Sequence, residues 1–503
     1  MSKFANSRDG IAAPLLLWQE IPTQISTMDT YELQVYPTTN IFAGGPIIFN
    51  LPPQSRGMLW DVEIKTKLKI SCDSKAEKGD ILKGLGIINN FANSLWELAE
   101  VRVDDRIDLM QSMRNSYAYT TFFNHCFNTE SAHADHLYHN QLFKMDEGGT
   151  RTEAENSEVY HFKTDVDKLA RELNLKVIDA DSNLSDYDYP EELRKIKELK
   201  IDNSKFLTGK HTNNPAVADR AIRMNRYDES FNITTKLHCP LMNTSKALPT
   251  NMKLRIALTK NSDEFLLYVT RQVEDKELYD SCGVVIEDVY LNVTYYEPRD
   301  VILQHIEDQI QQEPAPYFIT RPEIIIKPIT NANRTIRITN LFHDKLPNQA
   351  FMCLQRSGDF HGDRHTSPFI FEPYASCQLF VDGRPHFPKP LEASFETRGL
   401  ARYWTKNQDF FQELYKTIGR DLAGDCLINS SNFHLNFMTA INFTADRSTP
   451  TSRHLNLQRR ATTSLEIDMG YENNIPKDMV LLIYAIYDRQ VQISGDRSIV
   501  VID

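Results

Sequence analysis

The chain has 503 residues, 41% of them hydrophobic and 10% aromatic, and a formal net charge of −12. Its length exceeds what one hydrophobic core organises, so two folded domains are expected. The negative balance, with no Lys/Arg-rich arm, excludes a protein that grips nucleic acid by neutralising phosphates, and no run of about 18 apolar residues offers a membrane span.

In chain order, Ala13 to Trp18 is too short for a signal-peptide core. Pro46 to Leu51 is a strand candidate, and Met58 to Cys72 is the clearest one. In it Met58, Trp60, Val62, Ile64, Leu68, Ile70 and Cys72 alternate with Asp61, Glu63, Lys65, Lys67 and Lys69, one face dry and one wet. Leu95 to Val103 is a strand that runs into the turn Val103-Asp104-Asp105-Arg106, and a helix is expected near Ser116 to Asn128. Between about 150 and 226 the strand pattern gives way to mixed charge, read as a surface insertion, helical around Pro190 to Lys200. Strands resume at Asn232 to Pro240, Asn251 to Leu258 and Val284 to Tyr296. Ile302, Ile306 and Ile310 then mark a connector helix before Pro314 and Pro316.

A second set of strands follows, at Glu323 to Lys327, Thr335 to Asn340, Ala350 to Gln355, Phe369 to Val381, Asn432 to Phe443, Thr462 to Met469 and Met479 to Ile493. The turn Val381-Asp382-Gly383-Arg384 echoes the one at Val103, and Asp-Gly suits a tight hairpin. Each turn precedes an aromatic-rich stretch, Tyr117 to Phe123 and Tyr403 to Tyr415. In the latter, Phe410, Phe411, Leu414, Tyr415 and Ile418 form a helical stripe, with Asn407 as N-cap and Gly419 at the stop. The parallel neighbourhoods indicate a duplicated β domain.

Candidate chemistry is sparse. His133, Asp135, His136 and His139, with His125 and Cys126 upstream, come nearest to a metal set but read as a solvated surface, so no metal or cofactor is expected. His361, Asp363 and His365 lack any nucleophile signature, and no enzyme activity is expected. Seven cysteines without CxxC spacing indicate neither a disulfide framework nor a thiolate zinc site, and a reducing compartment accounts for them.

Order and wording of the motifs are more specific. Asn90 to Ser94 and Leu95, then Val103, Asp104 and Arg106, Tyr117 and Tyr119, Asp146 and Gly148, and His238 succeed one another in the first half. Gly362 and Asp363, Pro368, Phe369 and Phe371, Val381, Asp382, Gly383 and Arg384, and Pro388 and Pro390 do so in the second. This series resembles the major capsid (hexon) proteins of Polinton/Maverick elements, adintoviruses and virophages. Ser367, where Asn commonly precedes Pro-Phe, and Asp344, where Gly is often found, depart from that pattern.

The resemblance implies an all-β fold of two consecutive eight-stranded jelly-roll sandwiches, a double jelly roll, with a few short helices. It divides the chain into an N-terminal arm (1–29), a first roll (30–298) carrying the insertion at about 150–226, a connector (299–316) and a second roll (317–503). It further implies a structural protein of the virion, made in the host cytoplasm. Such a protein forms homotrimers that build an icosahedral shell with penton and minor capsid proteins and encloses double-stranded DNA without gripping it. The residues taken alone also admit a β-sandwich receptor- or carbohydrate-binding attachment protein, or a jelly-roll metalloenzyme of cupin type.

Overall fold

The computed structural model describes residues 24–72, 85–103, 107–110, 113–146, 216, 220, 230–269, 282–330, 333–342, 345–362, 367–398, 401–420, 424–430, 432–433, 435–448, 455–470 and 478–502. Expectations for the turn at 104–106, for the helix near 190–200, and for Gly148, Asp344, Asp363 and His365 therefore lie outside the described residues.

The first half contributes β1 (Thr27–Val35), β2 (Ile47–Leu51), β3 (Met58–Cys72), β4 (Trp96–Val103), β5 (Ile107–Asp108), β6 (Phe231–Lys236), β7 (Leu254–Lys260) and β8 (Cys282–Pro298). From the second half come β9 (Ala315–Thr330), β10 (Thr335–Thr339), β11 (Gln349–Arg356), β12 (Ser376–Val381), β13 (Arg384–Pro385), β14 (Thr439–Asn442), β15 (Thr463–Asp468) and β16 (Asp478–Ile493). These strands form four sheets, ordered β1-β8-β3-β6 and β2-β7-β4-β5 in the first half, and β9-β16-β11-β14 and β10-β15-β12-β13 in the second. Each of these eight first-half strands thus has a counterpart eight numbers later with the same neighbours. All pairings among them are antiparallel, which lets each sheet present one apolar face to its partner.

Val103 and Val381 occupy equivalent places. Val103 ends β4 opposite Ile107 of β5, and Val381 ends β12 opposite Arg384 of β13. The second turn is built as its residues demand: Asp382 and Gly383 both have positive φ, 51° and 75°, as a two-residue type I′ hairpin requires. Asp382 also accepts the backbone N–H of Thr462 at 2.8 Å, tying the turn to β15.

Several elements differ from the sequence reading. On β3 the dry face is Leu59, Val62, Ile64, Thr66, Leu68 and Ile70, while Trp60 turns outward against Tyr296. The register against β8 skips Trp60, and this bulge reverses the alternation beyond it. Strand β1, absent from the sequence reading, runs along β8, and its polar outer face hides the pattern. The expected strands 369–381 and 432–443 shrink to 376–381 and 439–442. Asn429 and Asn432 exchange side chain-to-backbone bonds that fold the latter segment into turns instead.

The long β9 passes through Pro316, Pro322 and Pro328 because it is an edge strand: spaced by six, all three share one parity, and the missing N–H groups face away from β16. Cys282 is disulfide-bonded, which corrects the sequence reading. Five of the other cysteines are free, leaving Cys72, directly opposite Cys282 in the β3/β8 register. Strand pairing across some two hundred residues creates this bond, so no spacing rule reveals it.

Four helices of at least two turns punctuate the described residues: α1 (Ser116–Asn128), α2 (Ala134–Gln141), α3 (Asp300–Gln312) and α4 (Gln408–Ile418). Helices α1 and α4 follow equivalent strands, β5 and β13. Gly419 stops α4 in the left-handed region at φ 74°, but Asn407 makes no side-chain cap bond. Helix α3 connects the halves and is clasped from both sides. Arg497, beyond β16, donates to Glu307 of α3 and, through Nε at 2.7 Å, to the carbonyl of Thr250 in the first half. None of the described helices is long and apolar enough to cross a membrane.

Candidate functional site: the seam between the two sandwiches

Helix α1 belongs to the first half but buries its aromatic face in the second. Tyr119, Phe122, Phe123 and Phe127 recur at helical spacing and form one stripe. Phe122 lies on Phe369 with ring centroids 4.4 Å apart and nearly parallel, at 16°. Phe123 stacks on Phe371 at 5.8 Å and on Tyr484 of β16 at 5.0 Å, and Phe127 meets Phe351 of β11 at 4.3 Å. All seven of these rings are buried, so the two cores merge into one. Aromatic pairs of this kind add about 0.5–1.5 kcal/mol each beyond their buried area.

Polar groups around Tyr119 are paired. The Tyr119 hydroxyl lies 3.1 Å from both Gln355 Oε1 and the Pro368 carbonyl, and Gln355 Nε2 donates to the same carbonyl at 2.7 Å. Burial drives the Tyr119 hydroxyl far above its ordinary pKa, so it acts here as a neutral hydrogen-bonding group. Asn115, ahead of α1 at φ 59°, donates to the carbonyl of Phe360 and accepts from Asn261, bridging the halves. Gly362 sits at φ +93° with the backbone of Phe265 so close that a Cβ would come within 2.8 Å of its Cα.

Beneath α1 lies a polar cluster centred on Asn93. Its Nδ2 donates to Asn90 Oδ1 and Gln141 Oε1 and lies 3.3 Å from His125 Nε2, while its Oδ1 accepts from Thr235 at 2.8 Å. Asn90 in turn donates to Thr121 and the Ala118 carbonyl. His125 stands edge-on to His238 at 5.0 Å. Burial pushes His125 down to about 4, partly offset by its bond to Gln141. It lowers His238 as well, helped by the adjacent His125 and Lys236. Both rings are neutral at pH 7.

No family model matches the chain. In sequence it is 21% identical over 262 residues to the uncharacterized protein F54H12.2 of Caenorhabditis elegans, a match covering 51% of this chain and 59% of that protein. The chain therefore spans under two thirds of the length of this curated relative. In structure it is similar over its whole length to a chain of the Sputnik virophage, with TM-score 0.59, 10% identity, and 98% of this chain and 93% of that one covered. The Faustovirus major capsid protein gives 0.54 at 8% identity over 95% and 93%. PBCV-1 VP54, as fitted into a reconstruction of Sputnik, gives 0.52 at 10% over 97% and 99%. The chain has the double jelly-roll fold.

Within this double jelly roll the sequence-selected residues fall into three groups. Tyr119, Gly362, Pro368, Phe369 and Phe371 meet at the seam. Ser94, Tyr117 and His238 belong to the network under α1, where Tyr117 reaches the backbone N–H of His238 and Ser94 the carbonyl of Asn89, while Leu95 is buried and Asp146 pairs with Arg220. Val103, Val381, Asp382, Gly383 and Arg384 form the strand ends and the second hairpin. Pro388 and Pro390 lie exposed beyond it, and Asp104, Arg106, Gly148 and Asp363 are outside the described residues.

His133, Asp135, His136 and His139 are exposed around α2, and among the described residues no group of three or more His, Cys, Asp or Glu is placed to hold a metal. His361 is exposed as well.

Sequence reasoning missed Arg220. Its guanidinium is buried, donates to the carbonyls of Ile87 and Lys144, and pairs with Asp146 at 2.8 Å. In sequence it is one basic residue within a mixed-charge stretch, and nothing local distinguishes it.

Proposed function

We propose that this chain is the major building block of an icosahedral shell of a double-stranded DNA virus or virus-like mobile element, working as a homotrimer. The observation that carries this reading is the repetition itself: two sandwiches of identical strand order, fused through α1 into one body. Three such chains around a threefold axis present six similar walls, which suits the sixfold neighbourhood of a shell lattice. Likeness along nearly the whole chain to the Faustovirus major capsid protein supports the same reading. The seam residues act by packing and hydrogen bonding, and the role needs no chemical step.

The net charge of −12 fits a wall that encloses DNA while other components offset the DNA charge. Penton and minor capsid proteins are the expected partners, and the virion the expected location. Electron microscopy of the purified protein tests the proposal: closed shells or pseudo-hexagonal tiles are expected, and uniformly monomeric particles across concentration and salt would overturn it.

A further inference from the structure

On the second roll, the sheet face that α1 covers at Tyr484 lies bare, among the described residues, at its other end. There a short strand, β17 (Ile499–Ile502), pairs with the last residues of β16. The register sets Phe318 of β9, Gln490 of β16 and Ile502 of β17 in one row, and Pro316, Gln492 and Val500 in the next. Directly opposite residues share a face, and by alternation this is the face of Tyr484. Phe318, Val500 and Ile502 are 53%, 52% and 42% exposed on it. Leu455 and Leu457 are exposed beside them, flanking Asn456, which bonds Asp488 of the adjacent row.

The sheet also ends at β17: among the described residues no strand pairs with its outer edge. Free edges are normally blunted by prolines or charges. β9 carries three prolines and β1 carries Asp29 and Glu32, whereas β17 reads Ile-Val-Val-Ile. Both of its faces are apolar, with Ile499 and Val501 opposite the buried Ile493 and Val491, and Val500 and Ile502 turned outward. A strand that completes this edge must therefore be apolar at consecutive rather than alternate positions. Leu15, Leu16, Leu17 and Trp18 form such a run, of the same length. Pro14 precedes it, where a strand tolerates proline.

The run is within reach. At the head of α3 the Arg299 N–H bonds the carbonyl of Ser26, and near its foot Gln311 bonds the carbonyl of Gly495 in the turn between β16 and β17. The helix spans about 20 Å, while the chain from Gln24 back to Trp18 extends about 20 Å, and back to Leu15 about 30 Å. We propose that Leu15, Leu16, Leu17 and Trp18 lie along β17 of their own chain as one further strand, alternate side chains covering Phe318, Val500 and Ile502. The tether holds the run at high local concentration, which favours it over a segment arriving from solution. The site stands independently of the shell proposal.

Hydrogen exchange of the full chain tests the proposal. Amides of residues 15–18 and 499–502 should exchange at least about tenfold more slowly than those of an unstructured peptide. Leu16→Asp and Val500→Asp should each remove that protection from both segments while β16 stays protected. Val500 is half-exposed, so its variant empties no core. Chains carrying Val500→Cys with Leu15→Cys, Leu16→Cys or Leu17→Cys, oxidised with glutathione disulfide, locate the run, since only neighbouring strands bring two such residues into bonding range. A disulfide within one chain is expected for at least one pair. Unprotected amides at 15–18, protection that survives either Asp variant, no bond in any pair, or disulfide-linked multimers that show the run coming from a second copy would overturn it.

Discussion

Phe122 of the first sandwich lies face to face with Phe369 of the second, their centroids 4.4 Å apart, in the middle of the seam. Neither side chain is more than 1% exposed. Truncating either removes a large apolar group from a site that cannot collapse onto it. Phe122→Ala should cost about 3–5 kcal/mol and Phe122→Leu distinctly less. Urea denaturation measures both, and a loss under about 1 kcal/mol for the alanine variant would show that the seam is loosely packed.

Gly362 is required by backbone rather than by packing. Its φ of +93° excludes most side chains, and the backbone of Phe265 occupies the space a Cβ would need. Gly362→Ala should therefore destabilise by about 1–3 kcal/mol or more and raise amide exchange at residues 262–266. Gly383→Ala makes a useful contrast: its φ is also positive but nothing lies within 4 Å, so only the conformational cost remains.

Acid should weaken the protein through His125 and His238. His125 titrates at about 4 when folded and at an ordinary 6.5 when unfolded. Between those values the unfolded chain binds a proton that the folded chain refuses. The stability present above pH 6.5 is thus lost progressively as pH falls to 4, by about 3 kcal/mol for a gap of this size. His238 acts in the same direction. Unfolding midpoints measured from pH 7.5 down to pH 4.5 should fall, and His125→Gln should flatten the profile. An unchanged slope in that variant would assign the acid sensitivity to other groups.

Cysteine chemistry offers a direct count. Five buried thiols and one cross-strand bond predict that alkylation under denaturing, non-reducing conditions labels five cysteines, and that prior reduction raises the number to seven. Reduction should also lower stability by about 2–4 kcal/mol, as for disulfides generally. Seven labels without reductant would show that the bond does not form in the isolated protein.

Light scattering coupled to size exclusion should report a mass of three chains, stable to dilution, since obligate interfaces commonly bury more than about 2,000 Å². A mass of one chain, stable across salt, would count heavily against a shell-forming role.

Much of this architecture was legible in the chain. Alternation marked β3, β7 and β8, the Asp382-Gly383 pair marked its hairpin, and the stripe from Phe410 to Ile418 marked α4 with its Gly419 stop. What stayed hidden depends on partners far away in sequence. The aromatics of α1 read like those of α4, yet Phe410 packs within its own roll on Tyr374 and Phe437, whereas Phe122 and Phe123 cross to the other. Periodicity gives the face of a helix, not its destination. The bulge at Trp60 and the bond of Cys282 likewise come from strand pairing.

The crossing of α1 bears on how the protein is made. Residues 122, 123 and 127 leave the ribosome long before 351, 369, 371 and 484, which cover them, so the first roll emerges with an aromatic strip that nothing yet shields. Until β16 is synthesised the nascent chain carries a sticky surface, and its burden on chaperones should be set by the time taken to translate the second half. Separate expression of the two rolls should accordingly give an aggregating first fragment, and supplying the second in trans should improve its yield.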